Sequence, residues 1–134
     1  MRIAVDAMGG DEAPRVPVEG AYIAAREWGI SSVLVGDKER VNAELDRIRT
    51  KSLPIDVHHT SDFIGMGEQP KAALRKIKSS SIGVAFELVK SGQAQAVFSA
   101  GNSGATMATA FMLAKTLKGI DRPAGLRHAK RDRK

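Results

Sequence analysis

Four short apolar runs, each closed by a small or polar residue, alternate along this chain with segments of helical period, and that alternation constrains the fold more than any other feature. Arg2-Ile3-Ala4-Val5-Asp6 reads as a strand running into the turn Met8-Gly9-Gly10-Asp11. Asp11 is placed to cap a helix that has Pro14 in its first turn, carries Val18, Tyr22 and Ala25 on one stripe, and ends before Gly29. Ser32–Gly36 reads as a second strand, with Asp37 capping a helix through Val41, Leu45 and Ile48. Pro54–His58 is the third strand. Pro70 opens a short helix over Lys71–Ile77. Ser79 or Ser80 caps another, with Ile82, Ala85, Phe86 and Val89 at helical spacing. Gln95–Ser99 is the fourth strand. A long helix is expected from about Ser103 to Lys118, with Met107, Ala110, Phe111, Ala114 and Leu117 inward and Gly119 as its stop. Tyr22 and Trp28 read as core or interface residues. Strands alternating with helices predict an α/β fold, a mainly parallel sheet covered on both faces. Ligands of such sheets sit beyond the carboxyl ends of the strands. Residues 6–11, 36–38, 59–70 and 100–106 are therefore the turns in which a site is expected.

Composition then removes whole classes of function. The 134 residues contain no Cys, which excludes a disulfide framework, a thiolate zinc site and a cysteine nucleophile. His58 and His59 are adjacent on a strand, so they face opposite ways and cannot chelate one metal together; no metal or cofactor is expected. The least polar run, Ala105–Ala114, is far shorter than the ~20 residues of a membrane-spanning helix. Net charge is +6, but residues 122–134 carry six Lys or Arg against one Asp, and the preceding body is nearly neutral. With no aromatic stacking platform in that tail, specific nucleic-acid binding is not expected.

The turns carry what chemistry there is. In Ser99-Ala100-Gly101-Asn102-Ser103-Gly104, a strand ends and a helix begins, with two residues that have no side chain around the helix start. Unpaired first-turn amides and the helix dipole make such a start a seat for an anion, to which the Asn102 amide and the Ser103 and Thr106 hydroxyls would add donors. The structural alternative is that Gly104, Ala105 and Ala108 are small so that the helix can lie close on the sheet, with Ser103 only its cap. No G-x-G-x-x-G follows a strand and no G-x-x-x-x-G-K-[ST] occurs, so the dinucleotide and P-loop fingerprints are both missing. Asp6 and Asp11 flank the double glycine Gly9-Gly10. Asp11 reads as a cap, and Asp6 as a group that binds polar substrate atoms or builds the site. Lys71 and Arg75 share one helix face, with Lys76 and Lys78 nearby, either as a docking surface for an acidic partner or an anion clamp, or as a solvated face.

The runs "IAVDAMGGD", "LVGD", "EQPKAALRKIKSSSIGVAFELVKSGQAQAVFSAGNSGATMA" and "KGIDRPA" resemble, in this order, the N-terminal part of the PlsX-type phosphate acyltransferases of bacterial lipid synthesis. The resemblance covers residues 1 to about 124. It implies a three-layer α/β/α sandwich similar to the isocitrate dehydrogenase and phosphotransacetylase group, here incomplete, without a nicotinamide cofactor. It implies transfer of an acyl group from acyl carrier protein to inorganic phosphate, a homodimer, and a cytoplasmic protein peripherally associated with the membrane surface. By matching positions it implies a site lined by Asp6, Gly9, Gly10, Asp11, Glu68, Pro70, Arg75, Lys78, Gly101, Asn102, Ser103 and Gly104, without resolving which of them does chemistry; the helix-start reading adds Thr106 and makes Asn102 and Ser103 the catalytic candidates. The basic helix would suit the acidic carrier protein. After residue 124 the family continues into an apolar strand, whereas residues 125–134 form a basic tail, expected to lie outside the packed domain. The chain is therefore expected to be a shortened form with impaired activity, or an anion-binding fragment whose tail adheres non-specifically.

Overall fold

The computed structural model describes residues 1–48, 52–115 and 118–119. Its elements are β1 (Arg2–Asp6), α1 (Arg15–Trp28), β2 (Ser31–Gly36), α2 (Lys38–Ile48), β3 (Ile55–His59), α3 (Pro70–Lys76), α4 (Ser81–Lys90), β4 (Ala96–Phe98) and α5 (Ser103–Thr109). The strands form one parallel sheet in the order β3-β2-β1-β4.

Alternation of side chains along the strands sorts the core into two faces. Val5 and Leu34 pack with Val18 and Ala21 of α1 and Val41 and Leu45 of α2. Ala4, Val33 and Val35 point the other way, onto Ala85 and Leu88 of α4. Beyond α4, a third cluster joins Ala73 and Ile77 at α3, Ile82 of α4, Ala105 of α5 and Leu113. The described residues thus form helix, sheet and helix layers, the α/β arrangement expected from the alternation. At Gly83 a Cβ would stand 1.6 Å from the Ile77 carbonyl oxygen, so α4 can leave α3 at this angle only without a side chain there.

Several helix boundaries follow local signals. Gly29 ends α1 in the left-handed conformation at φ 64°. Asp37 accepts from the Arg40 amide at 3.0 Å, and Ser80 caps α4 by accepting from the Gly83 amide at 3.1 Å. Asp11 does not cap α1. Helix α1 starts only after Pro14, with no side-chain cap, and turn residues separate it from Asp11.

The last helix also departs from the expected pattern. The α-helix covers Ser103–Thr109 and continues as a π-helical stretch over Ala110–Ala114. Its buried side chains are Ala105, Thr109 and Leu113, while Met107 and Phe111 are exposed. The stripe of small residues packs against α3 and α4 because it lets the backbones approach; the larger apolar stripe faces out. Leu117 and the tail at 125–134 lie outside the described residues. Tyr22 is half-buried and stacks under Arg26, 5.2 Å from its ring centre, and Trp28 is 69% exposed rather than buried.

Strand β4 is an edge of the sheet among the described residues, and apolar grooves flank it on both faces. One, of about 320 Å³, lies beside Ile3, Val5 and Phe98 under α1. The other, of about 560 Å³, lies beside Val97, Phe86, Val89 and Leu113.

Candidate functional site

Strand order fixes where a crevice opens. The chain proceeds from β1 outward through β2 and β3, then returns to place β4 on the other side of β1. Helix α1 leaves β1 for one face, and α5 leaves β4 for the other. At such a switch point the two connections diverge beyond the strand ends, and ligands of open α/β sheets bind there. The turns that diverge are Ala7–Asp11 and Ser99–Asn102, and both carry glycine.

Asp6 ties that crevice together. Its carboxyl group, 5% exposed, accepts from the Ser81 hydroxyl at 2.6 Å, the Ser99 hydroxyl at 2.8 Å and the Met8 amide at 3.2 Å. One side chain at the end of β1 therefore holds its own turn, the start of α4 and the turn after β4. Ser99 in turn accepts from the Gly101 amide at 3.1 Å. The two turns touch so closely that a Cβ on Gly9 would sit 2.8 Å from Asp6 Oδ2, 2.9 Å from the Gly101 nitrogen and 3.0 Å from Ser99 Oγ. Gly10 adopts φ 104°, a conformation that side-chain-bearing residues rarely take. Of the two roles open to Asp6 in the sequence, its hydrogen bonds favour building the site: its neighbours already use both oxygens.

Asn102 plays a similar part at the head of α5. Its Oδ1 accepts from the Ala105 amide at 3.1 Å, making it the N-cap, and its Nδ2 donates to the Met66 carbonyl at 3.2 Å. Thr106 turns its hydroxyl back onto the Asn102 carbonyl at 3.0 Å. What remains at the helix start are the Ser103 and Gly104 amides, which donate to no group among the described residues, and the exposed Ser103 side chain.

Residues 60–69 arch over this end. Thr60 donates to the Ser79 carbonyl at 2.6 Å, the Ser81 amide donates to the Asp62 carbonyl at 3.0 Å, and Asn102 holds Met66. Glu68 braces the arch: it accepts from the Gly65 amide at 3.0 Å and pairs with Lys76 at 2.9 Å. The Lys76 hydrogen bond, and after it that of Gly65, holds the Glu68 carboxyl below its ordinary value. So engaged, Glu68 is a fixed anion whose charge Lys76 balances.

The predicted residues fall into three places. Asp6, Gly9 and Gly101 form the clamp. Glu68, Pro70, Asn102 and Gly104 line a groove between α3 and α5, with Ser103 and Thr106 on the adjoining helix turn. Gly10 and Asp11 line a shallower hollow with Arg40, Phe63 and Met66. Arg75 and Lys78 are exposed and line none of these. Ser81, Ser99 and Arg40 belong to the site region although the sequence alone did not select them, and Lys76, read there only as part of the basic helix, joins it through Glu68. Only Ser99, in the glycine-bearing run, carried a local signal; the others arrive from distant elements. Among the described residues no three His, Asp or Glu side chains are grouped to hold a metal ion, and no helix is long and apolar enough to cross a membrane.

A parallel sheet with its crevice between two glycine turns describes a broad class of α/β ligand-binding proteins, and comparison narrows it. The model of the fatty acid synthesis protein family matches residues 1–128, and the chain belongs to that family. Among its relatives is the phosphate acyltransferase of Geobacter sulfurreducens, 59% identical over 124 residues, 92% of this chain and 36% of the relative. The phosphate acyltransferase of Geotalea daltonii is 60% identical with the same coverage, and that of Pelobacter propionicus 56% identical. The chain spans little more than a third of the length of these curated relatives.

Proposed function

We propose that the crevice at the β1/β4 switch point is the phosphate end of a phosphate acyltransferase site, serving transfer of a fatty acyl group from acyl carrier protein to inorganic phosphate for phospholipid synthesis. The observation that carries this reading is the apposition of the Gly9 and Gly101 turns, clamped by Asp6, beside two amides at the head of α5 that have no partner among the described residues.

In this reading the Ser103 and Gly104 amides and the Ser103 hydroxyl hold phosphate with one oxygen toward the thioester carbon. That oxygen forms the new C–O bond, charge builds on the carbonyl oxygen, and the C–S bond breaks to release the carrier's thiolate. Positioning supplies much of the rate, and amide donors aimed at the developing charge supply more. A thiolate leaves readily, so no strong general acid is required, and no protein nucleophile is consumed. Neither carbon nor phosphorus changes oxidation state, so the reaction calls for no redox cofactor. Asp6, Gly9, Gly10 and Gly101 shape the crevice, Asn102 orients the helix start, and Glu68 with Pro70 fixes the arch. Asp11 sits at the rim.

The exposed cations Lys71, Arg75 and Lys78 on and beside α3 favour docking of the acidic carrier protein. The exposed Met107, Phe111 and Met112 support a homodimer at the cytoplasmic surface of the membrane. Residues 1–124 form the acyltransferase portion in this reading, and 125–134 a tail apart from it.

The test is a hydroxylamine trap. Acyl carrier protein thioester, phosphate and the chain together are expected to yield acyl hydroxamate in a phosphate-dependent manner. Alongside it, phosphate titrated into isotope-labelled chain is expected to move the Ser103 and Gly104 amide resonances. Amides there that stay still while others move would refute the seat.

A further inference from the structure

The groove between α3 and α5 has a polar mouth and an apolar body. Its mouth is formed by Glu68, Asn102 and Gly104, and its walls by Ala73, Leu74 and Ile77 on one side and Ala105 and Ala108 on the other, enclosing about 230 Å³. The Asn102–Met66 hydrogen bond ties the head of α5 to the arch that leads into α3; the polar lining residues belong to the heads of the two helices, and the apolar ones come one and two turns further along them. Ala73 and Ala105 are buried where the two helices pack closely, and the half-buried Ala108 ends at Cβ, leaving the groove room that a larger side chain there would fill. Leu74, 50% exposed, forms its lip.

We infer that this groove takes the hydrocarbon chain of the acyl group. The inference rests on the reading of the site given above. A reacting carbonyl and its tail are covalently joined, so an apolar channel must begin within a bond or two of the anion seat. The groove does so: Gly104 contributes both an amide to the seat and a wall to the groove's mouth. A linear alkyl chain is the occupant that suits a slot with a polar group at one end only.

The probes are inorganic phosphate and a series of monoalkyl phosphates from ethyl to decyl, kept below their micelle concentrations and titrated calorimetrically into the 134-residue chain. Affinity is expected to rise by up to about fourfold per added methylene until the groove is full, and then to level off. Ala108→Leu, which fills the groove from α5, is expected to bring the plateau to a shorter chain while inorganic phosphate binds as before. Leu74→Ser, at an exposed position that does not endanger folding, is expected to flatten the slope. Equal affinity for inorganic and decyl phosphate would overturn the inference and leave the phosphate seat standing. A slope that persists unchanged in both variants would place the tail elsewhere and overturn it too. Failure of every phosphate to bind would overturn the reading of the site itself.

Discussion

Removing the Asp6 carboxylate is the sharpest test of how the crevice is held. In Asp6→Ala the Ser81 hydroxyl, on a residue only 1% exposed, loses its acceptor at 2.6 Å, and Ser99 loses its own at 2.8 Å. Hydrogen bonds to charged groups contribute about 1.5–3 kcal/mol each. Two of them, with the Met8 amide also released, put the expected loss at about 3–5 kcal/mol. Asp6→Asn is gentler. Its oxygen still serves Ser81 and Met8, and its NH2 meets Ser99, whose hydroxyl can accept while keeping the Gly101 amide. Charge-assisted bonds become neutral ones, at a cost of about 1–3 kcal/mol. Urea unfolding followed by circular dichroism reads both numbers. With a slope near 2 kcal/mol/M, the alanine variant's midpoint should fall by roughly 2 M. The damage should also be local, with hydrogen exchange speeding first at Met8, Gly101 and the start of α4. Two variants with the parent's midpoint and exchange pattern would refute the clamp.

Three further outcomes follow from the same geometry. Gly9→Ala forces a Cβ between Asp6, Ser99 and the Gly101 backbone; it should cost about 1–3 kcal/mol and weaken phosphate binding, as thermal melts with and without phosphate would show. Asn102→Ala removes the α5 cap and the tie to Met66, at a cost of about 1 kcal/mol for the cap, with faster proteolysis within residues 60–69; an unchanged cleavage rate would count against the tie. Glu68 should titrate by carbon-13 NMR below its ordinary value of 4.5, and return toward it in Lys76→Ala. Because its carboxyl is held low in the folded chain, the bracing it gives is present above the unfolded value and is lost as pH falls through the folded one. The arch at 60–69 should therefore loosen only in acid.

How much of this was legible depends on the range of the contact involved. Elements set by local signals were readable: Asp37 as a cap, a second cap at Ser79 or Ser80, Gly29 as a stop, Pro70 as a start, and four apolar runs as strands. The strand order was not, since no local pattern says that β4 lies beside β1 rather than β3. The crevice therefore could be assigned to strand ends in general but not to the β1/β4 pair. Asp11 reads as a cap because it precedes a helical pattern; the turn before Pro14 delays the helix past its reach. In the last helix two apolar stripes compete. Hydrophobicity alone favours Met107 and Phe111, but close helix packing selects Ala105 and Thr109, whose small size matters more than their polarity. The Asp6–Ser81 bond links residues 75 apart in sequence, and the serine-rich run before α4 gives no hint of it.

The open side of β4 has a consequence for handling this protein. Its outer backbone groups have no ladder partner among the described residues, and oily troughs border them on both faces. Such a seam, though only three residues long, is a template for an extended segment with alternating apolar side chains, a neighbouring copy included. Concentration, more than temperature, should then govern how long the purified chain stays dispersed, and a short peptide laid along that seam should prolong its life in solution.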